Sequence, residues 1–329
     1  GRMSIEADTA EIISGCRKNR SIGSPVAILI RNRDHKIDVL PDVINPRPGH
    51  ADLAGMMKYS FNDARDVLER ASARETAART AAGAVAKIFL REFGIEVLSH
   101  VTSIGKVDAC TAGMPFSDIS KKVRTFGKLN CADARAEKLM CMEIDKARVS
   151  GDTLGGTFEV VADNVPPGLG SYVQWDRRMD AALARAVMSI PAVKAVSIGN
   201  GIEAASSSGS QVHDAILYDK KKKSFPRATN NAGGIEGGVT NGETLRITGF
   251  MKPIATLMSP LRTVNTNTKK ASRASTERSD VCAVASCGVV AEAVTALEIA
   301  AAFIEKFGSD SISDIKSNYR AYTEKLKKM

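Results

Sequence analysis

Aromatic residues are scarce in this chain. Phe, Tyr and Trp together make up 5% of 329 residues, with one tryptophan. Proteins that grip single-stranded nucleic acid stack bases on aromatic platforms, so the scarcity argues against a nucleic-acid partner. Cysteines number six, at 16, 110, 131, 141, 282 and 287, and none forms a CxxC pair. The four histidines, His35, His50, His100 and His213, include no pair at zinc-ligand spacing, so no structural metal site is expected. Cys282 and Cys287 lie in an apolar Val/Ala run and read as buried neutral thiols, and reduced thiols fit a cytosol-like compartment. No uninterrupted apolar run reaches the roughly 18 residues that cross a bilayer, so no membrane partner is expected. The opening Gly1-Arg2-Met3-Ser4 shows neither a secretory apolar region nor an Arg/Ser-rich transit peptide. A cytoplasmic location follows, with a plastid left open.

What is present is positive charge. Lys and Arg total 46 against 37 Asp and Glu, a net +9. The one dense basic run, Lys220 to Lys223, reads as a solvated loop. The remaining arginines fall largely inside motif-like segments, which favours a concentrated pocket for a small polyanion.

Strands and helices mix along the whole chain without the βαβ rhythm of a parallel sheet. Short apolar runs up to Arg31 read as strands, and residues 32–48 as a proline-rich loop. A helix is expected over Ala64–Phe93, rich in Ala and Gly around Ala77–Gly83, which lets another backbone approach. Gly94 is its stop signal. Arg70, Ser72, Arg74 and Glu75 sit in its first turns, where a phosphate could be held. Further expectations are a strand at Glu96–Val101, a helix at Asp133–Ala147 and a strand at Gly155–Asp163. Beyond these come a helix at Met179–Ser189, a strand at Ala192–Ile198 and a long Ala/Val helix at Val281–Phe307 ended by Gly308. No composition break marks a linker, so one domain spanning 1–329 is expected, of the α+β class.

Several segments could carry chemistry. Asn230–Gly242 is rich in glycine, which suits backbone contact with a flat or charged ligand, and lacks the GK[ST] of a Walker loop. His50 lies in Arg47-Pro-Gly-His-Ala-Asp52. The neighbouring arginine favours neutral imidazole, whereas a bound phosphate favours the imidazolium that can donate a proton. His35, His100 and His213 read as loop or strand-end residues. Lys252-Pro-Ile-Ala-Thr256 places a cation and a hydroxyl at a fixed turn. Arg278-Ser-Asp280 precedes an apolar helix, where Ser279 or Asp280 could serve equally as the N-cap.

Taken together, these segments resemble chorismate synthases. The likeness rests on Arg47-Pro-Gly-His-Ala-Asp-Leu-Ala-Gly55, Arg70-Ala-Ser-Ala-Arg-Glu-Thr76, Gly151-Asp-Thr-Leu-Gly-Gly156 and Pro166-Pro-Gly-Leu-Gly-Ser171. It continues through Asn231-Ala-Gly-Gly-Ile-Glu-Gly-Gly238, Met251-Lys-Pro-Ile-Ala-Thr256 and Arg278-Ser-Asp-Val-Cys282, in the family's order and spacing. The resemblance implies a homotetrameric β-α-β sandwich of antiparallel sheets and helices. It also implies a carbon–oxygen lyase that uses reduced FMN in a 1,4-anti elimination of phosphate from 5-enolpyruvylshikimate 3-phosphate, giving chorismate. By motif, His50 is the general acid and Asp280 handles the flavin N5 proton. Arg47, Ser72, Arg74 and Arg278 bind substrate, joined by Arg2 near the start. Arg70, Ala71, Ser72, Ala192, Gly237, Lys252, Pro253, Ile254, Ala255, Thr256 and Arg278 surround FMN. The absence of a long insertion implies an external flavin reductase, with NADPH as the indirect reductant.

Three departures from the family pattern stand out. The family's N-terminal Gly-Glu-Ser-His-Gly, which carries a second catalytic histidine, is not seen before Gly1. The Arg33–Arg47 loop lacks a Trp-containing insertion, and Ala285-Ser286 replaces a frequent Pro-Ala. The alternative expectation is therefore a truncated chain of the same family that binds FMN and substrate but is catalytically impaired.

Overall fold

The computed structural model describes residues 8–33, 37–125 and 127–329. The opening strands form two small antiparallel pairs, β1 (Ala10–Ser14) with β4 (Ala27–Ile30), and β2 (Cys16–Arg17) with β3 (Arg20–Ser21). The described residues of the proline-rich stretch after them are loop, as expected, apart from a 3-10 turn at Ile37–Val39. The helix expected over Ala64–Phe93 is broken. After α1 (Asp52–Tyr59), α2 (Arg65–Arg70) stops, a 3-10 turn covers Ala73–Glu75, and α3 (Thr76–Arg91) follows. Ser72 causes the break: it is extended (φ −60°, ψ 138°) and its hydroxyl accepts the Arg74 N–H at 3.3 Å. That is N-cap geometry, which a helix interior forbids. Arg70 thus ends one helix and Arg74 opens the next turn.

Next come β5 (Glu96–Ile104), β6 (Val107–Asp108), α4 (Phe116–Thr125) and α5 (Ala134–Ser150), the last capped by the Asp133 carboxylate on the N–H groups of Arg135 and Ala136. They are followed by β7 (Gly156–Asp163), α6 (Met179–Met188), β8 (Val193–Ile198), α7 (Gly201–Ala204) and α8 (Gly209–Val212). The chain closes with β9 (Ile235–Glu236), β10 (Val239–Thr240), β11 (Leu245–Met251), β12 (Arg262–Val264), β13 (Ala271–Arg273), α9 (Val284–Phe307) and α10 (Ile312–Leu326).

The main sheet has the order β6-β5-β7-β11-β8, and every neighbouring pair is antiparallel. This accounts for the missing βαβ rhythm. Alternate residues on one face, including Val97, Val101, Phe158, Val160 and Ile247, are buried under α9 with α3 and α6 beside it. Gly249 lies opposite Phe158, and a Cβ there would fall 2.2 Å from the ring. The glycine leaves room for the ring to lie across its neighbour. On the other face Leu98 and Val161 meet Ile119 and Phe116 of α4.

The stripe of small residues on α3 does what its composition suggests. A Cβ at Gly83 would sit 2.4 Å from the Ala293 Cβ of α9, so the two helices approach nearly backbone to backbone. Because β4 packs against α3, helices have strands on both sides, the β-α-β layering of the expected α+β class. The scarce aromatics gather where α3, α9 and α10 meet. Phe89, Phe93, Phe303, Phe307 and Tyr319 have neighbouring ring centroids 4.5–5.8 Å apart, and each such pair adds about 0.5–1.5 kcal/mol beyond burial.

By length and composition α9 could cross a membrane, although Glu292 and Glu298 interrupt its apolar run. Here more than half of its apolar window is buried in the protein core. Cys287, on its inner face, is pushed up to about 12 by burial, in keeping with an inert thiol. His100 departs from the loop or strand-end reading. It lies inside β5, fully buried, with Nε2 2.9 Å from Glu159, which also receives the Arg246 guanidinium at 2.9 Å. Three adjacent strands thereby carry a polar row anchored on the buried His100.

Candidate active site

Pro48 and Gly49 turn the chain just ahead of α1. Gly49 takes φ +78°, a left-handed conformation that glycine adopts without steric penalty. The turn folds Arg47 and His50 back onto Asp52, the first residue of α1. Asp52 is fully buried. One carboxylate oxygen accepts the Arg47 backbone N–H (3.0 Å) and Nε (2.8 Å); the other faces Arg47 Nη2 (3.0 Å) and His50 Nδ1 (2.5 Å). Burial alone would push this carboxyl up. The hydrogen bonds from His50 and Arg47 outweigh it and hold Asp52 well below the usual carboxylate range.

Four of the sequence motifs meet around this cluster. Arg47 Nη1 donates to the buried Thr256 hydroxyl at 2.7 Å, and the Lys252 ammonium donates to the Gly49 carbonyl at 3.0 Å. Both contacts bind the Arg47–Asp52 turn to the segment after β11. The Thr153 hydroxyl donates to the Ile254 carbonyl at 2.7 Å, and Gly155 lies so close to Met251 that a Cβ would fall 2.4 Å from its carbonyl oxygen. Leu154 N–H donates to the Val281 carbonyl at 2.9 Å, which brings the Arg278–Cys282 segment alongside. Ala192 joins through its carbonyl, which accepts the Lys252 N–H at 2.9 Å. Its φ of +70° is rare for an alanine and is held by that contact. Burial, then the charge of Lys194, lowers the Lys252 ammonium from its ordinary value, so a bound anion would find a cation already partly stripped of water.

Arg70, Ala71, Ser72 and Arg74 form a second group. With Ile28, Ile30 and Ala78, the polar members line a cavity of about 480 Å³ between β4 and the start of α3. Arg74 is steadied by the Asp8 carboxylate at 2.5 Å and the Arg31 carbonyl at 3.2 Å. The buried Arg65 of α2 reaches Glu277 at 3.1 Å and so ties this helix to the segment that bears Arg278 and Asp280. Arg278 and Asp280 are both exposed. Asp280 is not the helix cap: α9 begins at Val284 with Ala283 in the N-cap position.

Not every expected residue joins the cluster. Gly237 turns the β9–β10 hairpin, with open space on its Cβ side, and the hairpin leads into the start of β11, whereas Lys252–Thr256 follow the end of that strand. Seven strand residues separate the two places, roughly 20 Å at about 3.3 Å per residue. Arg2 lies outside the described residues. Arg47 turns its donors inward, to Asp52 and Thr256, so toward a ligand it offers charge rather than a fork of N–H groups. Sequence reasoning missed Asp52. The available signal was a carboxylate two residues after a histidine and five after an arginine.

A family model described as chorismate synthase matches residues 1–304. The chain is 49% identical over 340 residues to a chorismate synthase of Solibacter usitatus (strain Ellin6076), covering 99% of this chain and 87% of that relative. It is 51% identical over 343 residues to one of Geobacter sulfurreducens, covering 98% and 87%. A solved structure titled "Crystal Structure of Chorismate Synthase" superposes with a TM-score of 0.82 at 40% identity, covering 98% of this chain and 86% of the other. On the convergence of its motifs and on this likeness in both sequence and fold, the chain belongs to the chorismate synthase family.

Proposed function

We propose that this chain, acting as one domain within a homotetramer in the cytoplasm, eliminates phosphate from 5-enolpyruvylshikimate 3-phosphate to give chorismate, with reduced FMN as cofactor. The observation that carries the reading is the convergence of four motif segments on Arg47, His50, Lys252 and Thr256. The substrate has one phosphate and two carboxylates, and FMN adds another phosphate. Anions packed that closely need several cations in a site shielded from water, where each interaction is stronger than in bulk solvent.

The donor set fits a flavin mononucleotide. Ile28, Ile30 and Ala78 offer an apolar wall for a flat ring system, and Arg70, Ser72 and Arg74 beside it suit a phosphate. Ala71, Ala192, Arg278 and the turn Lys252-Pro253-Ile254-Ala255-Thr256 complete the proposed surround. Gly237 would reach it most directly from a neighbouring protomer. When bound, reduced FMN supplies electron density as phosphate leaves and recovers it, so the reaction has no net redox change.

The protein's part is binding and proton handling. Arg74, Arg278 and Ser72 hold the substrate anions, and Arg47 adds positive charge from the buried side. His50 donates a proton as general acid. Asp280, whose carboxylate does not cap α9, takes up the proton lost from the substrate. Reduced flavin comes from an external reductase, with NADPH as the indirect source of electrons.

The test is anaerobic turnover of the purified chain with dithionite-reduced FMN and 5-enolpyruvylshikimate 3-phosphate, followed by chorismate absorbance. Product is expected, and His50→Ala or Asp280→Ala should each lower the rate about 100-fold or more, the usual scale of acid–base contributions. Failure of the unmodified chain to form product overturns the reading.

A further inference from the structure

We infer that Asp52 is a positioning residue for His50: it fixes the imidazole with Nδ1 donated inward, which makes Nε2 the nitrogen that carries the exchangeable proton. Asp52 is fully buried behind His50, so it acts through the ring and not on the substrate. Its carboxylate faces four donors: the backbone N–H, Nε and Nη2 of Arg47, and Nδ1 of His50. A carboxylate has about four acceptor sites, so this one is filled and cannot turn.

The protonation of Nδ1 follows from distance. A carboxylate oxygen 2.5 Å from a bare ring nitrogen would set two lone pairs against each other, so the proton lies between them. Arg47 Nη2 is also near the ring, 3.0 Å from Nδ1 and 3.4 Å from Nε2. Since Nδ1 already donates to Asp52, that approach is a contact with the ring and not a hydrogen bond to its lone pair. Neutral His50 is therefore the Nδ1–H tautomer, and the ring gains or loses its second proton at Nε2.

Charge points the same way. The charged groups that touch the ring are Arg47 from the preceding loop and Asp52 from α1, and Lys252, from the segment after β11, reaches the carbonyl of the adjacent Gly49. Arg47, and Lys252 one residue along the turn, are cations that oppose an imidazolium. Asp52 is the carboxylate that offsets them and lets a protonated His50 exist beside an arginine.

This inference deepens the reading of His50 as general acid, but its first test is independent of turnover. The full chain, labelled with 15N-histidine, is studied by two-bond proton–nitrogen correlation NMR above the pH at which the ring is charged. His50 is assigned by the loss of its signals in His50→Gln. We expect the Nδ1–H pattern in the unmodified chain and a return to the commoner Nε2–H pattern in Asp52→Asn. In turnover, a general acid works protonated, so activity is present at low pH and falls as pH rises. Asp52→Asn removes the charge that favours the imidazolium, so this falling limb of kcat/KM should move about one unit or more to lower pH. Asp52→Glu should move it part of the way back. An Nε2–H pattern for His50 in the unmodified chain overturns the inference, and that spectrum needs no variant to fold. So does an Asp52→Asn chain with ring pattern and limb both unchanged. If the chain formed no product at all, the ring pattern would still decide the inference, separately from the proposed function.

Discussion

Arg47 and Asp52 are joined through two side-chain donors and one backbone N–H, in surroundings that leave Asp52 no water. Removing one member of a buried ion pair leaves the other charged and unpaired, at a cost of about 3–5 kcal/mol. Arg47→Ala should therefore lower the thermal midpoint markedly. Arg47→Lys keeps the charge but cannot reach Asp52 and Thr256 together, so it should fall between Ala and the native residue. An Arg47→Ala chain that melts with the unmodified one would show that the pair does not hold the turn. At this scale much was legible. Pro48 and Gly49 announce a turn, and the sequence singles out His50, Lys252 and Thr256 as candidates, which the fold brings together. The burial of Asp52 was not legible, because it depends on a segment more than 200 positions away that supplies Thr256. Nothing local distinguishes that aspartate from a solvated helix-start residue.

Among the elements, the pair α3 and α9 shows most directly what small residues accomplish. A Cβ at Gly83 would meet the backbone oxygen of Ala293 at 2.7 Å as well as its Cβ, and neither can swing aside. Gly288 of α9 is more open, its nearest neighbour being the Ser99 hydroxyl at 3.3 Å. Alanine gains about 1 kcal/mol of helix propensity at either site, but forced separation of packed helices costs about 1–3 kcal/mol. Gly83→Ala should thus lower the denaturation midpoint in urea, while Gly288→Ala should leave it nearly unchanged or raise it. Equal midpoints would rule out the close approach as a source of stability. The alanine- and glycine-rich composition made this helix readable in advance. Its interruption at Ser72 was not, since Arg70–Glu75 would also suit a continuous helix, and only the three-dimensional context selects the cap. The polar row of His100, Glu159 and Arg246 was hidden for a related reason. It requires the register of three strands, which no single strand's sequence contains.

For the molecule as a whole, the excess of positive charge bears on how a polyanionic substrate is captured. At about 0.1 M salt, attraction between exposed charges is screened beyond about 10 Å. Raising chloride salt from low to high concentration should therefore raise KM for 5-enolpyruvylshikimate 3-phosphate and change kcat little. A KM indifferent to salt would mean that the net +9 plays no part in capture. The α+β class and the layering were legible in the mixture of patterns and in the resemblance. The strand order was not, because β11 inserts between β7 and β8 from far along the chain. The position of α9 carries one more consequence, for the protein's own synthesis. This apolar helix fills the groove between the main sheet and α3, yet in chain order it comes after α3 and after every strand of that sheet. While the nascent chain is still being extended on the ribosome, the sheet and α3 have no partner for their apolar faces. Those faces must wait, exposed or shielded by a chaperone, until residues 284–307 emerge. Closure of the core therefore follows the synthesis of every strand in the main sheet.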